Sequence, residues 1–241
     1  MSAFISTDWL QQHLDDPNVR IIESSIDKAS YDEAHIPGAL WLDHFAGLLH
    51  NGDESSGEVL SPEQYASLMR RLGIAPDSTI VWYGDRHNSY AIRGFWTNDV
   101  YRHPGGVFVL EGGRERWIAE KRPLTDVVAM PAVTDYPVPM QADESNRATW
   151  QQVRDAIGSP DRVILDVRSL AEYDGSNVRA KHGGHIPGAV HVEWTDGKEN
   201  WSTVGVSDNI IEASWDALVT AIKLELMWAS EKFSEENAWA V

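Results

Sequence analysis

The chain has 241 residues, 42% of them hydrophobic, including 11 tryptophans, which is enough apolar material for a sizeable core and excludes a largely disordered chain. Twenty basic against 37 acidic side chains give a formal charge of −17, a surface that repels phosphate backbones and argues against a nucleic-acid partner. The cysteine count is zero, which excludes disulfides, thiolate nucleophiles and sulfur-ligated zinc.

The opening residues, Met1-Ser2-Ala3-Phe4-Ile5, lack both the basic segment and the long apolar stretch of a secretory leader, so a cytoplasmic location is expected. No stretch of about 18 apolar residues predicts a membrane span. Ser6-Thr7-Asp8 reads as the cap of a helix through Trp9–Leu14, and Val19-Arg20-Ile21-Ile22 as a short buried strand. The pentapeptide His35-Ile36-Pro37-Gly38-Ala39 follows. Ser61-Pro62-Glu63-Gln64 starts a capped helix with proline at its first position; Tyr65, Leu68, Met69 and Leu72 form its apolar stripe and Gly73 ends it. Thr79–Tyr83 predicts a strand, Gly84-Asp85-Arg86-His87-Asn88 a loop, and a helix follows from near Ser89. A further strand, Val107–Leu110, ends at Glu111-Gly112-Gly113. Strands alternating with helices imply an α/β fold with parallel sheets flanked by helices. Pro123–Asn146 is rich in Pro, Val, Asp and Thr and is expected to be an extended inter-domain linker.

Beyond it the pattern starts again. Ala148-Thr149 precedes a helical stretch, Trp150–Ile157, and Val163–Val167 reads as a strand. His185-Ile186-Pro187-Gly188-Ala189 then repeats the pentapeptide 150 residues after its first copy. From about residue 200 the repeat breaks off. Asp85 lies 50 residues after His35, but position 235, the same distance after His185, falls in Glu231–Asn237, which has neither a β-branched run nor a Gly-rich loop. Ile211, Trp215, Leu218, Val219, Ile222 and Leu226 instead fit a helical stripe that Asp208 could cap. The expected organisation is a first domain over residues 1–122, a linker over 123–147, and a partial second domain over 148–241 with a divergent helical tail from about 200. A shifted reading frame or true divergence would each leave such a tail, and translating the coding DNA in all frames separates the two.

Both pentapeptides, Phe4–Leu10, Val81–Asp85, Glu111–Trp117 and Leu165–Ser169, in this order, resemble the tandem-domain rhodanese family, the thiosulfate and 3-mercaptopyruvate sulfurtransferases. The resemblance covers residues 4 to about 195. It implies two rhodanese-like domains, the second incomplete, and a sulfane-sulfur transfer carried by a cysteine persulfide. Its first domain is commonly inactive, with an acidic residue where the nucleophile would sit, and Asp85 fits that pattern. A carboxylate forms no persulfide, so the chain as written is expected to be inactive. The plainer reading of Asp85 is a loop carboxylate accepting N–H bonds at the following helix.

The resemblance also assigns Arg179 and Arg168 to a small anionic sulfur donor, which a guanidinium can hold bidentately. The competing reading is ion pairing with Asp166, Glu172 or Asp174. His182, His185 and His191 lack the spacing of a metal site, and a structural role is expected for His35 and His185 within their turns. No Gly-x-Ser-x-Gly elbow, dinucleotide fingerprint or Walker loop occurs, and no metal or cofactor is expected. Trp82, Trp96, Trp117 and Trp150 are expected in the core, with Trp194 and Trp201 partly exposed. Two functions of different class follow: a sulfurtransferase by resemblance, and a non-catalytic rhodanese-like domain that binds an anion or a partner protein.

Overall fold

A computed structural model describes residues 3–25, 27–52, 57–143, 145, 147–191, 194–195 and 200–201. The chain divides into two compact units, Met1–Asn146 and Arg147–Val241.

The first unit is built on five strands: β1 (Phe4–Ile5), β2 (Val19–Glu23), β3 (Leu40–Trp41), β4 (Thr79–Tyr83) and β5 (Val107–Leu110). All pair in parallel, in the order β1-β5-β4-β2-β3. The helices between them are α1 (Thr7–Gln12), α2 (Lys28–Glu33), α3 (His44–Leu48), α4 (Pro62–Arg71), α5 (Ala91–Val100) and α6 (Gly113–Ala119). The expected α/β architecture, a parallel sheet flanked by helices, is the one observed.

The side-chain period of a strand explains the two cores. In β4, Ile80 and Trp82 enter one apolar cluster with Tyr65, Leu68 and Met69 of α4. Val81 and Tyr83 enter the other with Leu10, Tyr31 and Trp117. The capping box predicted at Ser61 forms, with Gln64 closing it. Gly94 of α5 lies over Trp82, where an added Cβ would come within 2.5 Å of the indole, so the helix packs closely only because that residue has no side chain.

Residues 123–143 form no helix or sheet strand and run along the first unit. Thr125 bridges His35 in antiparallel fashion, Thr134 Oγ1 donates to the Ile74 carbonyl at 2.5 Å, and Tyr136 is buried. Trp82 and Trp117 are fully buried as expected, and Trp96 is partly buried against the first cluster.

The second unit contains α7 (Trp150–Ala156), β6 (Leu165–Asp166), α8 (Leu170–Asp174) and β7 (Val190–His191), then β8 (Trp194–Thr195) and β9 (Asn200–Trp201). β6 and β7 pair in parallel, β8 and β9 antiparallel. Trp150 corrects the expectation of a core residue: it is 67% exposed, with the Arg154 guanidinium 5.2 Å from its ring. The strand expected over Val163–Val167 is shorter, and Val163 and Val167 are exposed. The helical stripe from Ile211 to Leu226, the stretch around position 235, and the side chains of Trp194 and Trp201 lie outside the described residues. Among the described residues, no helix is long and apolar enough to cross a membrane.

Candidate functional site

The carboxyl ends of parallel strands are where open α/β sheets place ligands. In the first unit the strand β4 ends there in the loop Gly84–Ser89. Gly84 is required by close approach, since an added Cβ would stand 2.2 Å from the Ser24 carbonyl oxygen. Gly113, at φ +57°, presses on the Gly84 carbonyl in the same way, at 2.5 Å. Arg86 (φ 47°) and Asn88 (φ 66°) adopt left-handed backbone, so the loop holds strain that its surroundings must fix.

Five of the loop amides have described acceptors within the protein. Gly84 N donates to Asn88 Oδ1 at 3.0 Å, Asp85 N to Ser25 Oγ at 3.1 Å, and Arg86 N to Glu115 Oε1 at 2.6 Å. Asn88 N reaches the Asp85 carbonyl and Ser89 N the Arg86 carbonyl. Asp85 is half-buried at the N-cap of a short 3₁₀ turn, Arg86–Asn88, and α5 begins only at Ala91, slightly later than predicted. Among the described residues, the Asp85 side chain shows no capping bond to that turn.

Beneath the loop lies a buried polar network. Glu23, at the end of β2, is 0% exposed. Its carboxylate accepts both Arg114 Nη1 contacts (3.0 and 3.1 Å), Ser25 Oγ at 3.0 Å, and the Tyr83 hydroxyl. Arg114 also donates to the Ser30 carbonyl at 2.8 Å and to that of Ala34. Burial pushes the Glu23 carboxyl up, against the lowering pull of Tyr83, Arg114 and Ser25. Burial, reinforced by Glu23, drives the Tyr83 phenol well above its ordinary range. The network is therefore a fixed support: it joins β2, β4 and α6 and carries the loop through Ser25.

The second unit repeats the geometry of the first around the pentapeptide. In the first copy the His35 imidazole stacks on Tyr31 (3.9 Å, 10°), and Nδ1 lies 2.7 Å from the Tyr31 carbonyl. In the second, His185 stacks on Tyr173 (3.8 Å, 6°), with Nδ1 2.9 Å from the Tyr173 carbonyl. The tyrosine hydroxyls donate to Ala39 O at 2.9 Å and Ala189 O at 3.0 Å. The strand register repeats as well, Ile22↔Leu40 and Glu23↔Trp41 against Leu165↔Val190 and Asp166↔His191. Asp166 thus stands where Glu23 stands.

Asp166 is held by Arg168, through Nε at 2.9 Å and Nη2 at 2.5 Å, and Arg168 also donates to the Gly184 carbonyl. The hydrogen bond from Arg168 keeps the Asp166 carboxyl below its usual range. Arg179 is 75% exposed and faces Glu172 at 3.7 Å. Both arginines therefore make the ion pairs set against the donor-binding reading, Arg179 much the looser one. His191 Nε2 lies 2.9 Å from the Arg168 carbonyl and His182 is exposed. No group of three metal-liganding side chains occurs among the described residues.

Sequence reasoning singled out Asp85, Arg168 and Arg179 and passed over the buried network of Glu23, Ser25, Tyr83 and Arg114. The signal was available: an acid closing an apolar strand must find a cation when buried, and Arg114 follows the two glycines that let α6 approach β4.

The Rhodanese-like domain family matches residues 6–120, and the LeuA allosteric (dimerisation) domain family matches residues 148–226. A thiosulfate sulfurtransferase of Corynebacterium glutamicum is 35% identical over 201 residues, spanning 80% of this chain but only 65% of its own length. The sulfur carrier protein TtuD of Thermus thermophilus is 39% identical over 80% of this chain and 70% of its own. A putative thiosulfate sulfurtransferase of Mycobacterium leprae is 30% identical over 99% of this chain and 87% of its own, so that alignment continues past residue 200. Among solved structures, SseA from Escherichia coli, described as a 3-mercaptopyruvate sulfotransferase of rhodanese fold, superimposes with a TM-score of 0.69 at 25% identity, over 80% of this chain and 75% of its own.

Proposed function

The chain belongs to the tandem-domain rhodanese family of sulfurtransferases, and on that premise we propose that residues 1–122 form a non-catalytic rhodanese-like domain. The sequence as it stands transfers no sulfur through a cysteine persulfide. The observation that carries this reading is the cysteine count of zero; the resemblance assigns Asp85 to the nucleophile position. A carboxylate oxygen attacks no sulfane sulfur to leave a stable sulfur-bearing side chain. The support beneath the loop fits a structural role: Ser25 holds the Asp85 backbone amide, and Glu23, Tyr83 and Arg114 are bonded to one another beneath it.

The relatives' names point to thiosulfate or 3-mercaptopyruvate as the sulfur source, both small anions, and to a protein as sulfur carrier. Of the two arginines assigned to such a donor, Arg179 fits better, because its pair with Glu172 is long and solvent-exposed and costs little to break. Arg168 is committed to Asp166. A partner protein in a sulfur relay is the second reading, and the Thermus relative's name favours it.

The test is a thiosulfate:cyanide assay on the purified 241-residue chain. The expected result is thiocyanate no higher than in a heat-killed control. Thiocyanate above that control would sink the reading.

A further inference from the structure

Residues 131–143 lead toward Arg147, where the second unit begins, yet they are fastened to the first unit as a strap. Gly73 leaves room for Pro131, since an added Cβ would stand 2.5 Å from the proline Cβ. Thr134 N donates to the Arg70 carbonyl at 3.3 Å, Asp143 N donates to the Val100 carbonyl at 2.7 Å, and Asp143 pairs with Arg102. Tyr136 is the side chain that the strap buries.

Tyr136 enters a buried relay of hydrogen bonds whose direction is fixed at both ends. The Trp82 indole can only donate, and it donates to Asn98 Oδ1 at 2.8 Å. Asn98 Nδ2 donates to the Tyr65 hydroxyl at 2.9 Å, and that hydroxyl lies 3.4 Å from the Tyr136 hydroxyl. The Tyr136 hydroxyl is 2.8 Å from His103 Nδ1. His103 Nε2 is 2.8 Å from the Ser78 carbonyl, which can only accept. Nε2 therefore carries the ring proton, and Nδ1 accepts from Tyr136.

We infer that neutral His103 latches the strap through Tyr136, and that protonation of the ring releases residues 131–143. A proton on Nδ1 meets the Tyr136 O–H head on. Turning that hydroxyl toward Tyr65 leaves the Tyr65 O–H without an acceptor among the described residues, beside a buried charge. Of the charged groups on the elements around the ring, Asp77 precedes β4 and favours the proton. Asp99 lies on α5, Asp135 is exposed on the strap, and Arg102 and Asp143 pair with each other. Burial holds the His103 imidazole below its ordinary range, against the raising pull of the Ser78 carbonyl and Asp77. The folded value lies below the unfolded one, so the latch is intact above about pH 6.5 and weakens as pH falls below it.

The experiment is amide hydrogen exchange on the full chain from about pH 7.5 to about pH 5, corrected for the intrinsic pH dependence of exchange. The Thr134 and Asp143 amides should lose about tenfold in protection over that range, while Ile80 and Val109 in the sheet keep theirs. His103→Gln should remove the pH dependence at the strap. No loss at Thr134 and Asp143, an equal loss at Ile80 and Val109, or a loss that persists in His103→Gln overturns the inference. Titration of the wild-type His103 ring by NMR gives a reading that needs no variant: strap exchange that rises while His103 is still neutral overturns it as well.

Discussion

The amide of Asp85 donates to the hydroxyl of Ser25 at 3.1 Å, and that hydroxyl donates in turn to Glu23. The loop after β4 is therefore hung from the residues that follow β2.

Ser25→Ala tests that suspension. It removes the acceptor for Asp85 N and one donor to Glu23 within a buried site. The expected loss is about 1–3 kcal/mol in urea denaturation, with faster hydrogen exchange at Asp85. Unchanged exchange at Asp85 would mean the loop is held by other contacts.

Arg114→Met strips Glu23 of its counter-charge at 0% exposure and should cost about 3–5 kcal/mol. Adding Glu23→Gln should recover part of that loss, because a neutral amide is cheaper to bury than an unpaired carboxylate. Measured in urea, a double variant no more stable than the single one would argue that the pair contributes through packing rather than charge.

Much of this architecture is readable in the residues. The strand limits Thr79–Tyr83 and Val107–Leu110 follow from unbroken apolar, β-branched runs, as two-sided burial in a parallel sheet requires. The duplication is legible because His-Ile-Pro-Gly-Ala specifies a turn, and the structure builds that turn twice around a stacked tyrosine and histidine. What is not legible is long-range pairing. Nothing local joins Glu23 to Arg114, 91 residues apart, or Arg86 to Glu115, and the left-handed backbone at Arg86 cannot be read from its side chain. Trp150 misleads for a different reason: the helix it opens buries no residue, so a large aromatic is left at the surface.

Gly94→Ala should destabilise the first unit by about 1–3 kcal/mol, although alanine is the better helix former. The added methyl would stand 2.5 Å from the Trp82 indole, itself fixed by its Nε1 donating to Asn98 Oδ1 at 2.8 Å. A thermal melt checks the sign; a gain in Tm would show that α5 can move outward freely.

Glu120 links α6 to α1. Burial would raise its carboxyl, but donors from Thr7, Arg116 and Arg122 outweigh that and hold it at about 2. Its folded value lies below its unfolded one, so the stability it contributes is fully present above about 4.5 and is lost as pH falls toward 2. Thr7→Val and Arg122→Ala should each flatten the fall in stability across that window. Urea midpoints measured from pH 6 to pH 2.5 decide it, and variants that lose stability in parallel with the wild type over that range would remove Glu120 as the cause.

Asp85→Cys puts a thiol at the position that the proposed reading assigns to the nucleophile. A persulfide sulfur carries negative charge and needs amide donors to hold it, as other reactive thiolates do. In this loop the amides of Gly84, Asp85, Arg86, Asn88 and Ser89 already have acceptors, and Glu115 adds a carboxylate beside them. The new thiol should therefore be accessible to a thiol-reactive dye but turn over no thiosulfate, giving thiocyanate at the heat-killed level. Removing Glu115 as well frees only the Arg86 amide, and thiocyanate should rise modestly if at all. Sustained turnover by Asp85→Cys alone would show that the loop releases its internal bonds to a substrate, and that the first domain lacks only its sulfur atom.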